Sequence, residues 1–369
     1  MATRSTRRRL FRASARMPDE ASVIIQAMRL SELGEFGLIS LIKSISGRYE
    51  KPDQTPWREV LVGIGDDAAG WQNDGRIQLA TTDTLVQNVH FDVDAIGWDR
   101  LGWKALAVNL SDIAAMGGIP KYALLSLALP AGLQVKDISQ FMDGMTQIAR
   151  EFDVALVGGN IAAAPIVVIT MAVIGSAKGR DLLKRSTASP GQQIAVTGYL
   201  GSSAAGLEMA KGRTISDAQI HSLLARAHFS PMPRVREGQI LIEQGVRTAV
   251  DVSDGLVADL SHICEASKVS ARIRLEQVPI HPAVIANFPN HRDFALCGGE
   301  DYELLFTADE VTIGRVKQAL DCPVTIIGEI TGEESLTPVT VIDKNGNTVS
   351  YNRGGWEHFK DEVSETDFA

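Results

Sequence analysis

The chain has 369 residues, 45% of them hydrophobic and 22% charged, which is an ordinary globular composition and enough length for two cores of about 150 residues each. The net charge of −9 conceals six arginines among residues 1–16 with no acid beside them, so the remainder stands at −15, the wrong sign for a protein whose main partner is nucleic acid. Cys264, Cys297 and Cys322 are far apart, odd in number and form no CxxC pair, so neither a disulfide framework nor a zinc site is suggested, and a reducing cytoplasm fits.

In chain order, residues 1–30 read as an unstructured basic arm rather than a transit segment or a nucleic-acid arm, and Met17 and Met28 both qualify as starts. Ser31 with Glu32 and Glu35 resembles an acid-first helix start, and Leu38, Ile39, Ile42 and Ile45 recur at helical spacing until Gly47. Two apolar runs, 60–64 and 77–80, read as strands that end in polar turns, GDDAA at 65–69 and TTDT at 81–84. Residues 99–116 read as a helix stopped by Gly117 and Gly118, followed by a strand at 122–129 and a helix at 136–151.

The stretch Val154–Gly175 is nearly uncharged and, at 22 residues, long enough to span a bilayer. Its Gly158, Gly159, Asn160 and Pro165, and its richness in Val and Ile, point instead to two buried strands around a turn, so no membrane span is expected. GRDLLKRSTASPG at 179–191 marks a boundary near residue 180. Beyond it come a strand at 192–197, a glycine-bearing helix start at 198–210, a strand at 247–252 and a helix at 254–267, which is α/β again.

Carboxylates gather where apolar strands end or a helix faces inward: Asp66, Asp67, Asp83, Asp112, Asp251 and Asp254. Strand ends are where α/β folds build their sites. Alone, such groups repel a polyphosphate; with divalent cations between protein and phosphate they hold one, and magnesium suits carboxylates and hydroxyls such as those of Thr81 and Thr82. There is no GxxxxGK[ST], no Rossmann GxGxxG, no HRDxxxxN with DFG, and no GxSxG around Ser253, so no nucleophile is implied. GYLGSSAAG at 198–206 has phosphate-loop character without the lysine, and close packing of a helix on a strand is the favoured explanation.

In register, GIGDDAA (63–69), TTDTLVQNVHF (81–91), ALAVNLSDIAAMGG (105–118), VGGN (157–160), DVSDGL (251–256), GGEDYELLF (298–306) and GGWEHF (354–359) resemble the thiamine-monophosphate kinase family, from about Ser31 to Phe359. That family belongs to the superfamily of aminoimidazole-ribonucleotide synthetase. The resemblance implies a two-domain α/β (α+β) fold: an N-terminal metal- and ATP-binding domain over 31–180, whose mixed sheet forms a homodimer interface, and a C-terminal α/β domain over 181–360 closing on ATP. An acidic tail is left at 361–369. It implies direct in-line transfer of the γ-phosphoryl of ATP to thiamine monophosphate in the cytoplasm, assisted by several Mg²⁺ ions. It assigns Asp67, Thr81, Thr82, Asp83, Asp112, Asn160, Asp251 and Asp254 to metal, Gly159, Asn160, Arg185 and Ser253 to ATP, and His90, Glu300 and Trp356 to the substrate.

Read without the resemblance, each of these has a plainer explanation: turn and cap aspartates, a solvated Arg185, a satisfied buried His90, a turn-capping Glu300, a core Trp356. One departure from the family pattern is clear, because the family's GGD followed by threonine is here Gly158, Gly159, Asn160 and Ile161. The expected consequence is a weaker metal site, or compensation by a neighbouring carboxylate such as Asp66. Within the superfamily, the missing reactive cysteine in the N-terminal glycine-rich region and the Asp-Phe-Ala ending disfavour selenophosphate synthetase and the hydrogenase-maturation dehydratase. Aminoimidazole-ribonucleotide synthetase fits TTDTLVQNVHF and GGEDYELLF less well. A nucleotide-binding regulatory module, suggested by Asn160, has no need of so many metal ligands.

Overall fold

The computed structural model describes residues 35–47, 57–332 and 337–351. The basic arm, Ser31 with Glu32, the acidic tail and the segment that carries Trp356 lie outside these residues. The expected first helix is present as α1 (Glu35–Gly47). It belongs to a separate compact unit from the one that starts at Glu59 and holds everything described below.

In that second unit the first half of the chain forms β1 (Val60–Val62), β2 (Ala69–Asn73), β3 (Arg76–Val86), α2 (Val93–Ile96), α3 (Trp98–Ala115), β4 (Gly118–Leu129), α4 (Val135–Glu151), β5 (Ala155–Ala163) and β6 (Val168–Ala177). The strands make one mixed sheet in the order β1-β2-β3-β6-β4-β5, antiparallel except for the parallel pair β4 and β5. The alternation Ile77, Leu79, Leu85 on β3 and Ile169, Met171, Val173 on β6 gives the sheet one apolar face, buried in a core that α3 shares.

The second half forms β7 (Gln193–Thr197), α5 (Ser202–Ala210), α6 (Ala218–Phe229), α7 (Val235–Glu243), β8 (Thr248–Asp251), α8 (Leu256–Ser267), β9 (Ser270–Arg274), α9 (Pro282–Asn287), α10 (His291–Cys297), β10 (Leu304–Ala308), α11 (Glu310–Ala319), β11 (Val324–Thr331) and β12 (Val339–Ile342). Its sheet runs β12-β9-β11-β7-β10-β8, with only β12 and β9 parallel. Strands β8 and β10 are buried along their whole length. Their alternate residues enter two cores: Ala249, Leu304 and Phe306 join the core of α3, while Val250 and Leu305, with Val196 of the neighbouring β7, pack beneath α8. A strand covered on both faces reads as a continuous apolar run, as these do.

Two expectations need correction. TTDT at 81–84 is no turn: β3 continues through it, and Thr81, Thr82, Asp83 and Thr84 pair with Val173, Ala172, Met171 and Thr170 of β6. β-branched threonine suits a pleated strand, and a long partner satisfies the backbone, so polarity alone misjudges the segment. The stretch 154–175 does form two strands, turning at Pro165, but β5 is an exposed sheet edge, not buried, and the Gly158-Gly159 pair lies inside it. A Cβ at Gly159 would sit 1.7 Å from the Leu125 carbonyl oxygen, so that glycine permits the close approach of β5 to β4. Among the described residues, no helix is long and apolar enough to cross a membrane.

Candidate active site

The site is organised by α3, which is buried nearly all round, with Leu101 to Leu110 shielded from water together with Ser111. A helix with no solvated face is expected to be apolar throughout. This one carries Lys104, Asn109, Ser111 and Asp112, and each polar side chain holds a residue of another element. Asn109 Oδ1 accepts a hydrogen bond from the Asp83 N–H at 3.1 Å. Thr81 Oγ1 donates to Asp112 Oδ2. Ser111 Oγ donates to Asp251 Oδ2 at 2.6 Å. Lys104 Nζ lies 2.7 Å from Glu300 Oε1. At 3.6 residues per turn, Asn109 and Asp112 point within about 60° of each other, toward β3, and Lys104 and Ser111 within about 20°, toward the second half of the chain.

The helix thereby gathers Asp67, Asp112 and Asp251, whose carboxylate oxygens come within 4.8 Å of one another. Burial, and then the charges of Asp83, Asp251 and Asp67, push the Asp112 carboxyl well above its ordinary range. Burial and the Asp67 charge push Asp251 up to about 7, against the opposing pull of the Ser111 hydrogen bond and Arg185. The described cation facing this group is Arg185, whose guanidinium contacts Asp67 Oδ1. Burial works against the Arg185 charge, but Asp67 and Asp66 outweigh it and hold the guanidinium ionised. Two atoms here are buried without a hydrogen-bond partner, Asp67 Oδ2 and Arg185 Nε.

Asp66 does not point into this group as a spare ligand. Its carboxylate accepts from the Arg185 and Asp67 N–H groups, and burial followed by the Asp67 charge raises it to about 6. Asp254 belongs to a second constellation with Asp259 and His262, whose ligand atoms also lie within 4.8 Å. Asp259 accepts from the N–H groups of Ser253, Asp254 and Gly255 at 3.0 to 3.1 Å and so shapes the loop that follows Asp251. The Ser253 carbonyl in turn accepts from the Glu300 N–H at 2.7 Å, tying the DVSDGL and GGEDYELLF loops together.

Other expected residues lie elsewhere. Thr82 faces away from Thr81 on the pleat and donates to the Met171 carbonyl. Gly159 pairs with Leu125, and Asn160 with Ser126, on the exposed edge strand. Two strands separate β5 from β3, which puts Asn160 about 14 Å from Thr84 at the usual strand spacing and apart from the Asp67 group within one chain. His90 Nδ1 accepts from the Val86 N–H at 3.0 Å, which fixes its ring at the end of β3. The phosphate-loop character of GYLGSSAAG is not expressed: Asp301 accepts from the Gly201 and Ser203 N–H groups at 2.6 and 3.0 Å and fills the start of α5. A Cβ at Gly201 or Gly206 would meet α10 or the Leu224 carbonyl of α6, respectively, so these two glycines serve close packing of helix on helix rather than on a strand, while one at Gly198 would meet the Glu303 carboxylate.

Family models for the N-terminal and C-terminal domains of AIR synthase related protein match residues 65–177 and 189–340. Over 309 residues the chain is 38% identical to the thiamine-monophosphate kinase of Bacillus subtilis, covering 82% of this chain and 94% of that one. The chain belongs to the thiamine-monophosphate kinase family. The Escherichia coli K12 member is 37% identical over 88% of this chain and 98% of its own length. Among solved structures, the AaThiL chain complexed with AMPPCP and TMP superposes with a TM-score of 0.77 at 33% identity, covering 90% of this chain and 99% of that one. The thiamine-monophosphate kinase of Stenotrophomonas maltophilia superposes with 0.67 at 36%, covering 84% and 96%. The fold is thus that of the kinase family, two α/β domains each built on a mixed sheet.

Lys104, Asn109, Ser111, Asp259 and His228 were not picked out by sequence reasoning. The signal for the first three was present in DRLGWKALAVNLSDIAAM, where, beyond Asp99 and Arg100 at its start, four polar residues interrupt a helix otherwise apolar on every side. For Asp259 and His228, no local pattern marks them.

Because Asp251 holds its proton up to about 7 when folded and to 3.8 ordinarily, the folded chain binds more protons than the unfolded chain between those values. The stability linked to this group is fully present below that window and is lost as pH rises through it. In EDTA, urea denaturation should show Asp251→Asn less pH-dependent than the parent and more stable at pH 8, by about 1 kcal/mol or more. Parallel pH profiles for the two proteins would refute the raised Asp251 carboxyl, which burial and then the Asp67 charge produce.

Proposed function

We propose that the protein transfers the γ-phosphoryl group of ATP to thiamine monophosphate, giving thiamine pyrophosphate and ADP. The observation that carries the reading is the Asp67, Asp112 and Asp251 group, a buried concentration of negative charge that α3 assembles from three distant parts of the chain. No store of like charges is worth burying for stability.

The donor set fits magnesium. The group consists of carboxylate oxygens, the hard ligands magnesium takes, and Asp67 Oδ2 is a buried acceptor with no donor in reach. Asp67, Asp112 and Asp251 would hold the metal, with Asp83 and Asp254 flanking. When bound, magnesium supplies neutralisation of the ATP phosphates. Arg185 Nε, a buried donor without an acceptor, fits a phosphate oxygen beside it, and its fork suits such an anion.

The chemistry asks little else of the chain. A phosphate oxygen of thiamine monophosphate, already anionic at pH 7, attacks the γ-phosphorus; the bond to the β–γ bridging oxygen breaks, and ADP leaves with the electron pair. Neither a nucleophile nor a general base is required, and catalysis rests on positioning and on charge. Ser111 and Asn109 hold Asp251 and the Asp83 backbone; Asp259 fixes the Ser253 loop, and Glu300 with His90 faces the acceptor. Cys264, Cys297 and Cys322 form no disulfide with one another, which suits a reducing cytoplasm as the place of reaction.

The same reading includes a homodimer. The edge strand β5 exposes Val157 and Ile161, and its neighbour β4 exposes Tyr122 and Leu124, an apolar strip beside unpaired strand backbone. Gly159 and Asn160 lie on this edge, so any part they take in binding is coupled to assembly. Light scattering should return twice the chain mass, and Leu124→Glu should return one; a monomeric parent removes the dimer from the account.

Purified protein with ATP, Mg²⁺ and thiamine monophosphate should release ADP and form thiamine pyrophosphate, identified by mass, and unphosphorylated thiamine should give neither. Asp112→Asn should lower turnover by about 100-fold or more. Tight binding of Mg-ATP without turnover on thiamine monophosphate would replace the kinase with a regulatory nucleotide binder.

A further inference from the structure

Glu300 sits at the outer end of a buried polar cluster drawn from three helices. Lys104 of α3 lies 2.7 Å from its Oε1, with a lysine side chain only 1% exposed. His228 of α6 places Nδ1 3.3 Å from its Oε2, and the same nitrogen lies 3.0 Å from Ser203 Oγ of α5. Of the three ionisable members, Glu300 alone faces outward, with 29% of its side chain exposed. Its backbone is in the left-handed region, at φ 65, held there by the hydrogen bond to the Ser253 carbonyl.

A lysine enclosed in a helix is costly to desolvate, and an apolar side chain of equal length would pack there at least as well. The charge balance indicates why lysine stands there. Burial by itself would raise the Glu300 carboxyl, yet Lys104 and then His228 hold it below the ordinary range. Burial and then Lys104 push His228 down to about 4, so it is neutral at pH 7 and adds a hydrogen-bonding group without charge. Lys104, with a smaller contribution from His90 at the end of β3, therefore balances Glu300, and the Lys104–Glu300 pair has no net charge. What it offers outward is an ionised oxygen fixed in place, suited to an N–H donor more than to a cation as such.

We propose that Lys104, backed by His228, is a positioning residue that fixes Glu300 as an acceptor for an N–H donor on the phosphoryl-accepting substrate and takes no part in ATP binding. This rests on the kinase reading above and on Glu300 facing the acceptor. Lys104 and Asp112, eight residues apart on α3, stand about 12 Å from each other along its axis, so the helix carries the acceptor side and the metal side at separate stations.

The test is steady-state kinetics of the full chain as wild type, Lys104→Met, Glu300→Gln and the double variant, with both substrates varied. Lys104→Met and Glu300→Gln should each raise KM for thiamine monophosphate about tenfold or more, with KM for Mg-ATP within about twofold of wild type. The double variant should match Glu300→Gln within about twofold, because Lys104 acts only through Glu300. An unchanged KM for thiamine monophosphate in Lys104→Met, an equal rise for both substrates, or a double variant whose KM multiplies the two single effects would each overturn the proposal. Should Lys104→Met not fold, the double variant, which leaves no unpaired charge buried, decides by the same comparison with Glu300→Gln. Absence of wild-type turnover overturns the kinase reading and this proposal with it, whereas wild-type turnover with unaltered variants overturns this proposal alone.

Discussion

The structure depends on the polar residues buried within α3. Lys104, Asn109 and Ser111 are at most 1% exposed, and each would carry a heavy desolvation cost without a partner. Their partners, Glu300, the Asp83 backbone and Asp251, lie on elements that share no sequence neighbourhood with the helix. A helix satisfied in this way can pack in only one register: turning it by one residue would leave every one of those groups unpaired. The polar set specifies the arrangement, while the apolar residues between supply the stabilisation.

The same arrangement concentrates negative charge. Asp67, Asp112 and Asp251 are held close by hydrogen bonds from Thr81 and Ser111 and by Arg185, and the carboxyls of Asp112 and Asp251 are raised by burial first and by the remaining repulsion second. In the second half of the chain, other buried carboxylates are instead engaged by backbone N–H groups. The starts of α5 and α8, which could otherwise draw anions, are filled by Asp301 and Asp259. With those N–H groups taken, the proposed polyphosphate site would be left with Arg185 and whatever metal the carboxylates hold, which would concentrate recognition at one place.

Much of the fold was legible in the sequence because the period of its apolar residues is clear. Helices α3, α4 and α8 and strands β7 and β8 fall within two residues of their expected bounds, and the ends of α3 and β7 are marked by glycines, whose conformational freedom is local and readable. Thr81 to Thr84 were misread because polarity resembles a turn when the pairing strand, some ninety residues on, is out of sight. The carboxylates of the site were visible as residues but not as a set: Ser111 meets Asp251 across 140 positions of sequence, and nothing local announces that contact. Lys104 was hidden for the opposite reason, since a lysine in a helix is read as solvated until its environment is known. Asn160 was legible as a departure from the family pattern, while its place on an exposed edge needed the sheet order.

The central claim is that the buried carboxylates bind nucleotide only through divalent metal. It is tested most directly by calorimetric titration of the protein with a non-hydrolysable ATP analogue, once with Mg²⁺ and once with EDTA. The account predicts binding with Mg²⁺ and a loss of about 100-fold or more in affinity without it, since ATP would then meet uncompensated Asp67, Asp112 and Asp251. Equal affinity in EDTA would contradict it and would mean that these carboxylates serve something other than the nucleotide's phosphates.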